Sequence, residues 1–532
     1  MIEKLDVLIA IVPLVFLIYL MTKKNSVPSN VALPVTAGVV YFIHLIYFRS
    51  DPNLINAAVL KGALEALTPI SIIWGAVLLF KTLELSGAQE IISNWLNEIS
   101  SNRIAQLMII GWAFAFMIEG ASGFGTPAAI AAPILVGLGF ELLPVALLTL
   151  VMNSVPVSFG AVGTPTWFGM GQLNLSTDQL LEISFKTAFI HSLAAFVIPV
   201  IALVFVVSWK DIRQNLIFIY LSILSCVVPY VLLATVNYEF PALVGGAIGF
   251  SLSIVLAGKN IGLSSNQQTR RSNSQSKSLN YNKLAKAMSP LAGIILILVI
   301  TRIPELRIRD FLNADSPAFK ISLGSLANFS ISPGLVIELE NIFGTTTSWA
   351  YKALFVPAFI PFFLVSGLSI LFFRLERPIA GRIWSESLER MEKPVITLIG
   401  ALIMVQLMMT GGDNAKTVII GRAFAEISGE YWQYLASFLG ALGSFFSGSA
   451  TVSNLTFSGI QDSIAQGVGL DQSLILSLQS VGAAMGNMVC INNIVAVCSI
   501  LGVYNQEGFI LKRTVIPMVV YGIIAAVVGI FL

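Results

Sequence analysis

Residues 119–135 read EGASGFGTPAAIAAPIL, and after Val136 comes the turn Gly137-Leu-Gly-Phe-Glu141. Gly120, Gly123, Gly125 and Pro127 oppose one continuous helix, because glycine loses the most backbone freedom on ordering and proline lacks the N–H that a helix interior needs. Yet the stretch lies between apolar runs at 104–117 and 145–162, which keeps it near membrane depth. Lipid-exposed irregular backbone is not tolerated in hydrocarbon, so such a segment must be buried in protein or line a wet cavity. A re-entrant hairpin is the economical solution.

The rest of the chain supports a bilayer setting. Of 532 residues, 56% are apolar and 11% are Asp, Glu, Lys or Arg, against roughly 25% charged in a soluble domain. A helix needs about 20 largely apolar residues to cross hydrocarbon. Runs of that kind, some of them short, lie at 5–21, 31–48, 58–80, 104–117, 145–162, 188–207, 216–234, 241–257, 292–300, 353–373, 395–409, 432–446, 474–490, 494–503 and 515–532. The expected fold class is an all-α polytopic membrane protein with 12–14 full or broken transmembrane helices. The first run is kept as a membrane helix, since Met-Ile-Glu-Lys-Leu-Asp is not the basic n-region of a cleaved leader.

Charge placement orients the chain. Between 259 and 286 stand Lys259, Arg270, Arg271, Lys277, Lys283 and Lys286 with no acid, the mark of a cytoplasmic segment. Its Ser, Asn and Gln content favours a linker over a folded domain or a nucleic-acid tail. The expected organisation is a first transmembrane half at 1–257, the basic linker at 258–286 and a second half at 287–532. An external loop is expected at about 302–349, and Lys512-Arg513 before the last run put the C-terminus outside.

A second interrupted stretch, Ser447-Gly-Ser-Ala-Thr-Val-Ser-Asn454, precedes the turn Gly467-Val-Gly-Leu-Asp471. The two turns share the pattern Gly-x-Gly-apolar-acid at a spacing of 330 residues. Secondary transporters contain paired repeats whose broken helices meet near the midplane, so two repeat-related halves with re-entrant hairpins are expected. Each hairpin is followed by a further interruption: Asn153-Ser-Val-Pro156 through Thr164-Pro165, and Gly486-Asn487 with Asn492-Asn493. Free N–H groups at such helix ends suit a carboxylate.

The residues expected around one central cavity are Ser122, Gly123, Gly125 and Thr126 from the first stretch and Ser447, Gly448, Ser449 and Thr451 from the second. Asn153, Ser154, Asn492 and Asn493 join them. Glu119 leads the candidates for a titrating group, because an ionised carboxylate is expensive inside a membrane and proton uptake relieves it. Asp413 and His191 are the alternatives.

Other classes find less support. His-Glu-x-x-His is absent, the two histidines, His44 and His191, are 147 positions apart, and Cys226, Cys490 and Cys498 lie in apolar runs, so no metal site or cofactor is expected. No Gly-x4-Gly-Lys-Ser/Thr phosphate loop points to ATP-driven work.

The block Gly120-Ala-Ser-Gly-Phe-Gly-Thr-Pro-Ala-Ala-Ile-Ala-Ala-Pro-Ile-Leu-Val-Gly-Leu-Gly-Phe140, with Asn153-Ser-Val-Pro-Val-Ser-Phe-Gly-Ala-Val-Gly-Thr-Pro165, closely resembles the bacterial L-lactate permease family. Ser447 to Asn454 and Asn492-Asn493 agree with that likeness, and the length and helix distribution extend it over nearly the whole chain. The resemblance implies uptake of lactate coupled to protons across the bacterial inner membrane, with glycolate and related 2-hydroxy monocarboxylates as further substrates. Sodium-coupled carriage of a carboxylate and an anion channel are the rival readings. The expected partners are L-lactate or glycolate, protons and membrane lipids, with no nucleic acid, in a monomer or homodimer.

Overall fold

In the computed structural model, residues 4–23, 27–123, 126–264, 281–301, 306–356, 359–503 and 506–532 are described. Seven helices among them are long and apolar enough to cross a bilayer: Pro52–Leu85, Arg103–Ala121, Thr177–Val204, Leu216–Ala234, Pro241–Gly258, Arg377–Met409 and Glu507–Gly529. Leu142–Met152 and Val157–Leu173, bent by 61° at their junction, add an eighth if they count as one span. Leu5–Leu20, Asn30–Ile46 and Phe359–Phe372 are shorter apolar helices. The chain is thus an all-α polytopic membrane protein with one bent, re-entrant-like helix pair.

Packing divides it into two compact units, each drawn from both sides of the basic linker: Met1–Gln89 with Ala285–Phe424, and Glu90–Leu284 with Ala425–Leu532.

In the first unit, Glu392–Met409 packs on Ser29–Ile46 and Pro52–Glu65. The contact closes because Gly400 lies against Pro34 and Gly62 against Ile403, the small-residue packing that membrane helices favour. Part of the stretch expected as an external loop is ordered differently. β1 (Phe319–Ser322), β2 (Asn328–Ile331), β3 (Val336–Glu340) and β4 (Trp349–Lys352) form an antiparallel meander in that order. The Tyr351 hydroxyl donates to Ser71 Oγ at 3.1 Å, tying β4 to the helix Leu67–Leu85.

The second unit contains both interrupted stretches. Asn102 opens the helix that leads to the first, its side chain accepting from the N–H groups of Ile104 and Ala105. The span Arg103–Ala121 is 94% buried, which makes it an interior element rather than a lipid-facing one. It ends in Ala115–Ser122, and the chain resumes as Thr126–Gly137 and Leu142–Met152, the first hairpin. Trp432–Ser447 leads to the second hairpin, Ala450–Val468 and Gln472–Gly486.

The two hairpin turns close in the same way. Gly139 (φ 88°) and Gly469 (φ 72°) are left-handed. The next N–H in each, Phe140 or Leu470, reaches back five residues to Leu135 O (3.3 Å) or Ala465 O (3.0 Å). Glu141 and Asp471 then occupy the N-cap positions of the returning helices.

Lys186, on Thr177–Ala195, anchors the second turn by donating to Asp471, to Ser473 Oγ at 2.6 Å and to Glu182 at 2.8 Å. Burial works to raise the Asp471 carboxyl, but hydrogen bonds from Lys186 and Ser473 outweigh it and hold the group below its ordinary range.

Candidate functional site

Four chain breaks in the second unit meet at one small cleft. Glu119 and Gly123 come from the end of Ala115–Ser122, and Gly160, Ala161 and Pro165 from the interruption after the first hairpin. Gly448, Ser449, Ala450 and Thr451 come from the start of the second hairpin, and Asn487 from its end. Val157 completes the wall.

Each break is held by identifiable bonds. Gly448 is left-handed (φ 73°) and ends one helix, while Ser449 caps the next, its Oγ accepting from Val452 N at 3.3 Å. In the segment Gly160–Trp167, Ala161, Val162 and Gly163 are all left-handed, a conformation that costs of order 1–3 kcal/mol at each non-glycine position. It is fixed by Trp167 Nε1 donating to Val162 O (3.0 Å) and by Thr164 Oγ1 donating to Ala161 O (2.5 Å). Asn454 Nδ2 donates to Pro165 O at 2.8 Å and Ser158 Oγ to Ser480 O at 3.0 Å, so the second hairpin meets a carbonyl oxygen of the first interruption and the interruption's serine meets one of the hairpin's. Such bonds let irregular backbone persist inside a membrane protein.

Glu119 is buried and takes part in no ion pair among the described residues. Asn153 Nδ2 donates to its Oε2 at 3.1 Å. Its Oε1 lies under Gly160, where an added methyl carbon would sit only 2.6 Å away. Glycine is thus the residue that lets this carboxylate reach the cleft.

The second hairpin's part of the lining offers donors. The first N–H groups of a helix have no partner within it, which leaves those of Ala450 and Thr451 open to the cleft. Among the described residues, Thr451 Oγ1 makes no hydrogen bond and Asn487 Nδ2 makes none either, Asn493 engaging only the Asn487 oxygens.

Of the residues named from sequence, Gly123, Gly448, Ser449 and Thr451 line the cleft beside Glu119. Asn153 stands behind Glu119, and Asn493 behind Asn487. Ser154 donates to Val151 O at 2.7 Å, back onto the helix that precedes it, and Ser447 bonds Gly443 O at 2.8 Å and Ser449 O at 3.1 Å. His191 bridges Ser158 Oγ (2.8 Å) and the Tyr521 hydroxyl, apart from the cleft lining. Asp413 belongs to the first unit. Gly125 and the side chains of Ser122, Thr126, Asp413 and Asn492 lie outside the described part of the chain. Asn487 and Gly160 line the cleft without being singled out, although Gly486-Asn487 and the Gly160 segment are visible as helix breaks.

Comparison with known proteins follows this geometry. A family model described as L-lactate permease matches residues 6–532. A Haemophilus influenzae protein named "Putative L-lactate permease" is 55% identical over 99% of this chain and 98% of its own length. The L-lactate permease of Bacillus subtilis is 25% identical over 96% of this chain and 93% of that protein. The Escherichia coli glycolate permease is 25% identical over 99% and 95%.

Proposed function

Because the chain belongs to the L-lactate permease family, we propose that it accumulates L-lactate and related short 2-hydroxy monocarboxylates by proton symport. It is a permease rather than an enzyme, and a multi-pass protein of the bacterial inner membrane. Glycolate enters the substrate range through the glycolate permease among its relatives.

One observation carries the mechanism: a single cleft sets the buried Glu119 against unspent donors. The substrate carboxylate is held at the N-terminus of Ala450–Val468, where backbone N–H groups and the helix dipole favour an anion. Thr451 and Asn487 supply hydrogen bonds to the carboxylate or the 2-hydroxyl. Glu119 takes up the proton, since an ionised carboxylate costs about 3 kcal/mol or more at membrane depth. Asn153 acts through Glu119, while His191 and Asp413 are the alternative proton carriers. Gly123, Gly448 and Ser449 shape the cleft, Ser154, Ser447 and Asn493 support it, and Ser122, Gly125, Thr126 and Asn492 keep the substrate-binding role read from the sequence.

We further read the two hairpins as paired repeats, with the shorter helices bringing full and broken crossings to 12–14. The matched turn closures at Gly139 and Gly469 support that reading. Sodium coupling is the second reading, favoured by the side-chain oxygen of Asn153, which receives no hydrogen bond among the described residues while the amide nitrogen donates to Glu119.

Uptake by purified protein in liposomes tests this, comparing L-lactate, D-lactate, glycolate and pyruvate under imposed pH gradients. L-lactate should accumulate with an inward acid gradient and be indifferent to replacement of sodium by choline at fixed pH. Loss of accumulation in choline would favour sodium coupling. Concentrating uptake after every ion gradient had collapsed would refute both forms of coupling. Preloaded unlabelled lactate should accelerate entry of labelled lactate, which an open pore would not allow.

A further inference from the structure

Asn153 Oδ1 is buried and receives no hydrogen bond among the described residues. The other edge of the same amide is engaged, Nδ2 donating to Glu119 Oε2 at 3.1 Å. Buried polar atoms nearly always have partners, so the vacant oxygen calls for an explanation. The two edges of an amide have almost the same shape and opposite hydrogen-bonding character, so half a turn of the group exchanges donor for acceptor.

Glu119 is the neighbour whose needs can reverse. As a carboxylate it only accepts; once protonated, one oxygen becomes a donor. Among the described residues, the elements packed closely on its helix bring no other charge to it. The elements packed against Ala115–Ser122 are Leu107–Phe114, Thr126–Gly137, Val157–Phe159, Gly160–Trp167 and Pro241–Gly258, and none carries Asp, Glu, Lys, Arg or His. Glu239, whose backbone lies against Gly163, precedes the last of these. Asn153 is absent from the cleft lining, whereas Glu119 belongs to it, so the amide meets the transport cycle through the carboxyl group.

We propose that Asn153 is a positioning residue that follows the protonation of Glu119, donating from Nδ2 to the carboxylate and turning over to accept the carboxylic acid O–H at Oδ1. The proton comes from the cleft onto a Glu119 oxygen, and no bond within the amide is made or broken. One amide edge is vacant in either state, so the choice between states is set by Glu119. The inference rests on the reading of Glu119 as the group that takes up the proton.

Infrared difference spectroscopy of the full-length protein in lipid, with asparagine side-chain carbonyls labelled with carbon-13, tests the two separately. Acidification should produce a protonated-carboxyl band that Glu119→Gln abolishes. Over the same pH range one labelled amide carbonyl should shift to lower frequency as it gains a donor, and that shift should vanish in Glu119→Gln. In Asn153→Leu the carboxyl band should move to higher frequency as its O–H loses an acceptor. A Glu119 band with no accompanying amide shift in the wild type would overturn the role of Asn153 and leave Glu119 standing. Absence of any band removed by Glu119→Gln would overturn the titration of Glu119, and the Asn153 inference with it. The labelled wild type decides the matter even where Asn153→Leu does not fold.

Discussion

The two broken stretches that meet at the cleft are built from similar materials and present opposite chemistry. Around the first, the hydroxyl side chains of the described interruption are spent on the protein. Ser154 bonds Val151 O, Ser158 bonds His191 and Ser480, Thr164 bonds Ala161 O and Thr166 bonds Ser158 O. What this wall offers is a buried carboxylate. The second wall presents no carboxylate to the cleft and, among the described residues, leaves the Thr451 hydroxyl, Asn487 Nδ2 and the first N–H groups of Ala450–Val468 unspent. A proton and an anion can therefore be met by different chain breaks within one small space, and substitutions can impair one encounter while sparing the other.

Glu119→Gln should break the comparison most severely. It keeps the approximate size of the side chain and removes its titration. At equal protein abundance, pH-driven accumulation should fall by about tenfold or more, equivalent to about 1.4 kcal/mol or more. Lactate exchange, which need not complete a net proton cycle, should fall far less. Measured proton flux per lactate at the wild-type value would remove Glu119 from the coupling role.

Gly160→Ala comes next. The new methyl carbon would meet Glu119 Oε1 at 2.6 Å, and a contact that tight forces one wall to move. Overpacking of this kind costs about 1–3 kcal/mol, so accumulation and exchange should fall together, with a lowered melting temperature in detergent. Gly137→Ala, where nothing lies within 4 Å of the new carbon, is the matched control and should leave transport near wild type. Equal behaviour of the two variants would show that Gly160 does not shape the carboxylate's approach.

Much of this division could be read from residue types. The apolar runs made the membrane setting plain, and Gly120, Gly123, Gly125 and Pro127 marked the first break because local backbone chemistry suffices to end a helix. The turns at Gly139 and Gly469 were legible for the same reason. Which hydroxyl faces the cleft was not, because that depends on the rotation of each broken segment about its neighbours. Thus Thr451 lines the cleft and Ser154 turns back on the helix that precedes it, although both are small polar residues beside a break. Asn487 lines the cleft with Asn493 bonded behind it, an order set by the 3₁₀ turn at Asn487–Val489. The four short strands between Phe319 and Lys352 escaped notice because each is only 4 or 5 residues long and carries little periodic signal.

Thr451→Val sharpens the second wall. It keeps the shape and removes a donor, and a neutral hydrogen bond contributes about 0.5–1.5 kcal/mol. The concentration of L-lactate for half-maximal exchange should rise by about two- to tenfold while the rate at saturation is little changed. An unchanged half-maximal concentration would shift recognition to the backbone N–H groups and Asn487.

Ser154→Ala should have the smallest effect and is the sharpest control on the asymmetry. The hydroxyl donates to Val151 O at 2.7 Å and is absent from the cleft lining, so the substrate gains nothing from it. Serine bonding back to the preceding helical turn contributes little to helix stability, because it competes with the backbone's own pattern. The half-maximal lactate concentration should therefore stay within about twofold of wild type, well under the 1.4 kcal/mol that about tenfold would represent. Stability should be similarly unmoved. A rise as large as that of Thr451→Val would mean that the first wall also supplies a donor to the substrate, and the separation of proton and anion between the two breaks would fail at that residue.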